Sequence, residues 1–333
     1  AVPGEAGSRL TVVIDDHTPT LLGLGYVPLV ALATRVALEA GWGLRLLIRS
    51  TTIPTAAISD AVKHTMPVKR PLLEIARREP GHTDDVEALE GEYWWATSIS
   101  SFESLQGLVP PAQLTWILSA NEAARHSAGE LRLRVTQALG NRHSSTISLG
   151  GLSVTPEGSH ISVDSLPALL GVTPSESTPK VLGIVADGTS PESLVSRSVA
   201  AIDEALARGL IDPSEWMPRF IGLDARPITL MGSIVAEQQP CATPAEWTDA
   251  LSGADALVVL RAGTEGTWIA DEAASAGIPI ADLSAETSSA VAGDIGELAQ
   301  AVTAVTTATA AKPVSVTWDS VVTRVLRHMG ASA

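Results

Sequence analysis

Two carboxylates occur close together in a segment that is otherwise small and apolar. Glu265 lies in a glycine-broken loop, and Glu272 follows seven positions later, at the start of a predicted short helix. The whole segment, residues 254–283, predicts a buried strand, that loop, the helix, a Gly-Ile-Pro turn and a second buried strand. In an open parallel sheet, ligands bind beyond the carboxyl ends of the strands, and a carboxylate there can accept hydrogen bonds from both ribose hydroxyls. The segment therefore predicts a nucleotide-sugar site.

The loop around Glu265 has residues suited to holding phosphates. Gly263, Thr264 and Gly266 let backbone N–H groups approach phosphate oxygens at a helix start. Arg261, at the end of the preceding strand, is the nearest candidate cation for a diphosphate. A flexible turn explains the loop equally well, and a surface ion pair explains the arginine equally well.

Both carboxylates also have simpler explanations. At a helix start, Glu272 would be stabilised by the helix dipole by about 0.3–1 kcal/mol without any ligand. Glu265 could meet a transferred sugar, but a solvated loop residue is the favoured interpretation. The sequence leaves ribose binding and simple helix stabilisation open for Glu272.

The amino-terminal half offers further candidates. Asp15-Asp16-His17 could bind a metal or act in acid–base chemistry. Three consecutive residues do not easily converge on one ion, so a capping or turn role is favoured. The glycine loop containing Gly25 superficially resembles a dinucleotide fingerprint, but Pro28 at its third small position excludes a nicotinamide site.

Composition excludes several classes of function. The formal net charge is −15, which disfavours nucleic acid as a partner. No apolar run approaches the roughly 18 residues of a membrane span, so no transmembrane segment is expected. No leader is visible at the first residues, and the one cysteine, Cys241, permits no internal disulfide; both favour the cytoplasm. We also expect most of the eight tryptophans to lie in the core.

Alternating strand and helix patterns predict an α/β fold of two similar halves. A strand at 10–14, a helix at 26–39 and a strand at 44–48 make one βαβ unit, which implies a parallel sheet. A proline-rich segment at 171–179 separates this half from a second series that starts with a strand at 181–186. The apolar pattern of residues 71–78 predicts a helix. The predicted division is a first domain at 1–170, a hinge at 171–179, a second domain at 180–310 and a final helical segment at 311–333.

These features together resemble the GT-B glycosyltransferases, whose two Rossmann-like domains face each other across a cleft. Four stretches carry the resemblance: Glu272-Ala-Ala-Ser-Ala-Gly277-Ile-Pro-Ile, the run Trp247–Val258, the pair Glu92–Thr97 and Trp116–Glu122, and Thr317-Trp318-Asp319. Within that fold the chain is most similar to the retaining rhamnosyltransferases of S-layer and rhamnan glycan synthesis.

The resemblance implies sugar transfer from a nucleotide donor to a glycan acceptor, with L-rhamnose from dTDP-rhamnose as the expected donor. It implies that Glu272 grips the donor ribose, and that the loop starting Asp187-Gly188 lies where that family holds the diphosphate. Gly25 would face donor phosphate and acceptor, and His17 and Glu122 would lie on the acceptor side; a helix-start acid explains Glu122 equally well. The final helix would cross back to the first domain, and no metal is expected.

The chain also departs from the family pattern. Retaining enzymes generally space their two glutamates by eight positions, whereas Glu265 and Glu272 are seven apart. The loop at 187–192 has no cation, and positions 119–121 read Ser-Ala-Asn where aromatic and acidic residues are expected. These departures suit an alternative, a non-catalytic glycosyltransferase-like subunit that binds or stabilises a partner. Homo- and hetero-oligomers are both compatible with the sequence. A small-molecule-binding protein of two domains is disfavoured, because such proteins are normally exported and no leader is visible at the first residues.

Overall fold

Runs of valine, isoleucine and leucine form the central strand of each of two sheets. Strand β1 (Arg9–Asp15) is almost completely buried, and β8 (Lys180–Val185) is buried along all but its first residue. Continuous apolar runs are typical of parallel strands that are covered by helices on both faces. The structure is a computed structural model, and it describes residues 8–16, 18, 26–65, 71–78, 91–119, 129–143, 145–149, 156–163, 166–175, 177–185, 192–222, 228–230, 234–241, 243–261, 267–284, 295–308 and 316–330.

The first sheet is parallel throughout the seven strands that the structure describes. Its strands are β1, β2 (Gly43–Arg49), β3 (Leu73–Arg77), β4 (Glu92–Ala96), β5 (Leu114–Ser119), β6 (Ser145–Leu149) and β7 (Ser159–Val163), in the order β3-β2-β1-β4-β5-β6-β7. The order reverses between β1 and β4. That reversal makes the carboxyl ends of these two strands a topological switch point.

Helices cover the first sheet. They are α1 (Val27–Glu39), α2 (Thr55–Thr65), α3 (Ile99–Leu105), α4 (Glu130–Leu139) and α9 (Trp318–His328). Helix α1 ends at Glu39, as predicted, and Gly41 follows with a φ of 69°, in the left-handed region that glycine adopts freely. Ser98 caps α3 by accepting from the Ser101 backbone N–H.

Tryptophans form much of the first core, as predicted. Trp94, Trp95 and Trp116 are completely buried, and the Phe102 ring stacks on Trp116 with centroids 5.0 Å apart. Trp247 is buried in the second half of the chain. Such rings remove large apolar areas from water.

The helix predicted at 71–78 is wrong, because this segment forms the edge strand β3. It pairs in parallel register with β2, and Arg45 Nε bonds Glu74 at 2.8 Å across the pair. Short apolar runs fit a helix and a strand equally well, so pairing with a neighbour decides between them.

The second sheet has six strands within the described residues. They are β8, β9 (Trp216–Ile221), β10 (Ile228–Leu230), β11 (Ile234–Gln239), β12 (Ala256–Arg261) and β13 (Ile280–Ser284), in the order β10-β11-β9-β8-β12-β13. Only β10 runs antiparallel to its neighbour. The order reverses between β8 and β12, which places a second switch point at their carboxyl ends.

Four helices accompany the second sheet: α5 (Glu192–Ala207), α6 (Pro244–Ser252), α7 (Thr267–Ser275) and α8 (Ile295–Thr307). Thr243 forms a capping box at the start of α6. Its side chain accepts from the Glu246 backbone N–H, and the Glu246 carboxylate accepts from the Thr243 N–H at 2.8 Å.

The chain divides into two units by its contacts. The first contains the described residues up to Pro167 together with α9, and the second contains Ala168 through α8. Residues 168–170, which the sequence assigns to the first domain, thus belong to the second unit. Within the described residues, no helix combines the length and apolarity that crossing a membrane requires.

Helix α9 packs within the first unit against α1 and β7. The Arg35 guanidinium lies 5.3 Å from the centroid of the Trp318 ring. At the other end of the helix, His328 contacts the hydroxyls of Ser145 at 3.1 Å and Ser159 at 3.3 Å. These contacts fix the helix to the edge of the sheet.

We predict that acid weakens this attachment through His328. Burial, and then the charge of His160, lower the His328 pKa below the usual 6.5, so the unfolded chain binds this proton more tightly than the folded chain. The free energy of unfolding should therefore fall as the pH drops through about 6.5 and below. Urea unfolding at a series of pH values measures this slope.

Replacing the histidine should reduce that pH dependence. His328→Gln should decline less steeply with acid than the wild type, because it takes up no proton there. His143→Gln, the same change at an exposed residue, is the matched control. Equal slopes for wild type and His328→Gln would contradict the assignment.

Candidate functional site

The switch point of the second sheet lies where the sequence predicts the donor site. Strands β8 and β12 pair in parallel, with Val185 opposite Val259, so their carboxyl ends are neighbours. Helix α7 follows β12, and β13 pairs with β12 on its other side. The strand, helix, turn and second strand predicted within residues 254–283 are thus confirmed, and the predicted loop at 262–266 lies outside the described residues.

Most of the predicted donor residues lie outside the described residues. These are Asp187 and Gly188 after β8, and Gly263, Thr264, Glu265 and Gly266 after β12. Arg261 is the last residue of β12. Their proposed contacts with phosphate and sugar stay predictions.

Glu272 is described, and it lies deeper in its helix than the sequence indicates. It is the sixth residue of the nine in α7, and the first turn of that helix has no acidic residue. The interpretation of Glu272 as a carboxylate stabilised by the helix N-terminus is therefore wrong, because the dipole effect is confined to the first turn.

The carboxylate of Glu272 is bound by the backbone that leads into the second unit. It accepts hydrogen bonds from the N–H of Leu169 and, at 3.0 Å, from the N–H of Leu170. Only 4% of the residue is exposed. Burial raises the Glu272 pKa, the two N–H donors act in the opposite direction, and Asp271 adds a smaller upward effect.

The segment after Leu170 is held to the same unit by further hydrogen bonds. The Ser175 N–H donates to the Ser252 carbonyl at 2.8 Å, at the end of α6. Asp255 accepts from the Ser177 hydroxyl at 2.5 Å and from the Val181 N–H at 2.8 Å. Glu272 is thus the first of several groups that fix this connecting segment.

Each carboxylate oxygen of Glu272 can accept a second hydrogen bond, and ribose binding by Glu272 stays a prediction.

The switch point of the first sheet carries a cluster of polar side chains. Asp15, at the end of β1, accepts from the Ser98 hydroxyl at 2.5 Å. Asp16 accepts from the hydroxyls of Ser50 and Thr52, which follow β2. These side-chain bonds link the ends of neighbouring strands, whereas the local turn after β1 is closed by the Thr18 N–H, which donates to the Asp15 carbonyl at 3.0 Å. Among the described residues, no group of three or more His, Cys, Asp or Glu is arranged to hold a metal.

Tyr26 lies near these two aspartates, and sequence reasoning missed it as a candidate site residue. Burial, and then the charges of Asp16 and Asp15, raise the Tyr26 pKa above 10.0, so the phenol, already protonated at neutral pH, stays protonated at higher pH. The signal was its position at the start of α1, directly after the glycine loop. His17, Gly25 and Glu122, predicted for the acceptor side, lie outside the described residues.

Comparison with solved structures shows the fold. The chain is similar to a sucrose-phosphate synthase from Thermosynechococcus elongatus, at 12% identity and a TM-score of 0.53, with 96% of this chain and 98% of that chain covered. It is also similar to a trehalose-6-phosphate synthase, at 10% identity and a TM-score of 0.52, with 97% and 94% covered. No family model and no curated protein matches the chain. The predicted α/β fold of the GT-B glycosyltransferases is therefore confirmed, whereas the rhamnosyltransferase subgroup is not.

We predict that Glu272→Ala destabilises the protein by about 1–3 kcal/mol, because two buried N–H groups lose their acceptor. The free energy of unfolding of Glu272→Gln should lie between those of Glu272→Ala and the wild type, since one carbonyl oxygen remains as an acceptor. Urea unfolding measures the difference.

The exposed Glu215 provides the matched control. Glu215→Ala should change the free energy of unfolding by no more than about 0.5 kcal/mol. Equal stabilities for the two alanine variants would mean that the Glu272 carboxylate does not hold the connecting segment in solution.

Proposed function

We propose that this chain is a glycosyltransferase that moves a sugar from a nucleotide-sugar donor to a glycan acceptor. The observation that carries the proposal is the GT-B fold, matched along 96% of the chain. The switch points of the two sheets add to it. Each is a location at which open α/β sheets bind ligands.

The proposal assigns the donor to the second unit. The backbone N–H groups of Gly263, Thr264 and Gly266 would bind the diphosphate, helped by Arg261. Their contribution to the rate would be to stabilise the negative charge that develops on the departing diphosphate. The loop at 187–188 would complete the phosphate site.

Two glutamates have separate roles in the proposal. Glu272 would accept from the ribose hydroxyls through the lone pairs that its N–H donors leave free. Glu265 would lie beside the transferred sugar. No bound metal takes part.

The acceptor belongs to the first unit in the proposal. Asp15, Asp16 and Tyr26 place two carboxylates and a phenol at the carboxyl end of β1, and burial with the two charges keeps the phenol protonated. Such groups bind the hydroxyls of a sugar. His17, Gly25 and Glu122 would add to the same side.

The finer proposal is transfer of L-rhamnose from dTDP-rhamnose with retention of configuration. It rests on the resemblance of the motif that contains Glu272. A panel of dTDP- and UDP-sugars tests it directly, since only the correct pair of base and sugar should support transfer.

One observation favours a second candidate function, a non-catalytic subunit that binds or stabilises a partner. The Glu272 carboxylate already accepts two backbone N–H groups and is almost fully buried. A residue with such partners has a structural role without any nucleotide.

We predict that nucleotide binding distinguishes the two candidates. A ligand at about 100 times its Kd should add about 2.7 kcal/mol to the free energy of unfolding. Thermal unfolding with UDP, dTDP and their sugars measures this. Stabilisation by a nucleotide would support the transferase, and no shift with any of them would contradict it and favour the partner-binding subunit.

A second variant separates binding from chemistry. Glu265→Gln should keep nucleotide binding and lose sugar transfer to an acceptor mixture, whereas Glu215→Gln should keep both. Full transfer by Glu265→Gln would remove that residue from the catalytic role.

A further inference from the structure

Two adjoining cavities lie in the first unit at the amino ends of β5, β6 and β7. Their volumes are about 280 Å³ and about 440 Å³. Pro111, His143 and Ser145 line both of them. We call the pair the amino-end groove. Volumes of this order are typical of small-molecule sites, which span about 300–1,000 Å³.

The smaller cavity is mainly apolar. Phe102, Val109 and Leu114 line it and are each no more than 5% exposed. The stacking of Phe102 on the buried Trp116 ring holds this wall in place. Gln106, at the end of α3, lies at its rim. An apolar ligand body would be removed from water here.

The larger cavity carries one guanidinium together with imidazole and hydroxyl groups. Arg142 and His143 line it, together with Ser159 and His328. The His328 ring is held between the Ser145 and Ser159 hydroxyls at 3.1 and 3.3 Å. None of the described residues that line either cavity is acidic.

The charge of the groove contrasts with the rest of the chain. The whole protein has a formal net charge of −15, whereas the described lining of the groove has the Arg142 guanidinium, hydrogen-bonding imidazoles and hydroxyls, and no acidic residue, a set that is complementary to an anion. Arg142 is 81% exposed at its side chain and pairs with Glu157 at 3.1 Å. Exposed pairs of this kind contribute little, so an anionic group can replace the glutamate.

We propose that the amino-end groove binds a small amphiphilic anion, with its apolar body in the smaller cavity and a phosphate or carboxylate head in the larger one. The groove lies at the amino ends of the strands, whereas the candidate acceptor cluster lies at their carboxyl ends. It is therefore a second site, and the proposal is independent of the transferase function.

Octyl phosphate, inorganic phosphate and octanol test the two halves of the groove on the full chain. Octyl phosphate should bind at least about tenfold more tightly than either of the others, because only it fills both cavities. Isothermal titration calorimetry measures the three affinities. Equal affinity for octyl phosphate and inorganic phosphate would overturn the proposal.

Paired variants locate the binding. Gln106→Trp should block the apolar cavity and reduce octyl phosphate binding about tenfold or more, whereas Leu108→Trp, at an exposed residue that does not line it, should not. Arg142→Glu should weaken the binding of octyl phosphate and inorganic phosphate, whereas Arg132→Glu, on the exposed surface of α4, should leave their binding unchanged. Equal effects within both pairs would overturn the proposal.

A readout on the wild type covers the case in which a variant fails to fold. The chain has seven histidines, and octyl phosphate should shift the ring resonances of His143 and His328. Shifts at other histidines alone would overturn the proposal. Flotation with phosphatidylcholine vesicles, with and without phosphatidic acid, distinguishes two sources of such an anion. Flotation that requires phosphatidic acid would identify a membrane lipid, and no flotation with either vesicle would identify a free amphiphile.

Discussion

The parallel direction of the strands is the constraint on which the rest of this molecule depends. Two parallel strands that follow one another in the chain need a crossover, and crossovers are right-handed. All such strands therefore start on one side of their sheet and end on the opposite side. The loops that follow strands lie together at the carboxyl ends, where Asp15 and Asp16 are found, and the turns that precede strands lie together at the amino ends. The two proposed sites of the first unit lie at these two opposite ends of the strands.

The burial of Glu272 shows how one carboxylate can have a structural role and a proposed functional one. An ionised carboxylate out of water needs donors, and the backbone N–H groups of Leu169 and Leu170 supply them. Backbone donors do not depend on the side chains at those positions. A ribose would add hydroxyl donors to a carboxylate whose orientation is already fixed, which is the kind of positioning that binding sites require.

The sequence predicts the alternation of strands and helices well, because buried apolar runs and capping residues are local signals. The Thr-Pro-Ala-Glu spacing at 243–246 and the glycine at 41 are two such local signals. The edge strand β3 was not predictable in this way, since its few apolar residues fit either structure and pairing with β2 decided. Helix α2 and strands β7 and β11 were missed for a similar reason: they are short or only partly buried. The partners of Glu272 lie about a hundred positions away in the chain, so no local pattern could reveal them.

The placement of α9 makes the second unit an insertion within the first. The chain leaves the first unit after Pro167, builds the second sheet and its helices, and only then supplies the helix that covers α1 and β7. During synthesis on a ribosome the first unit consequently stays incomplete while about 150 further residues are added. Its edge strand β7 lacks the packing of α9 throughout that time.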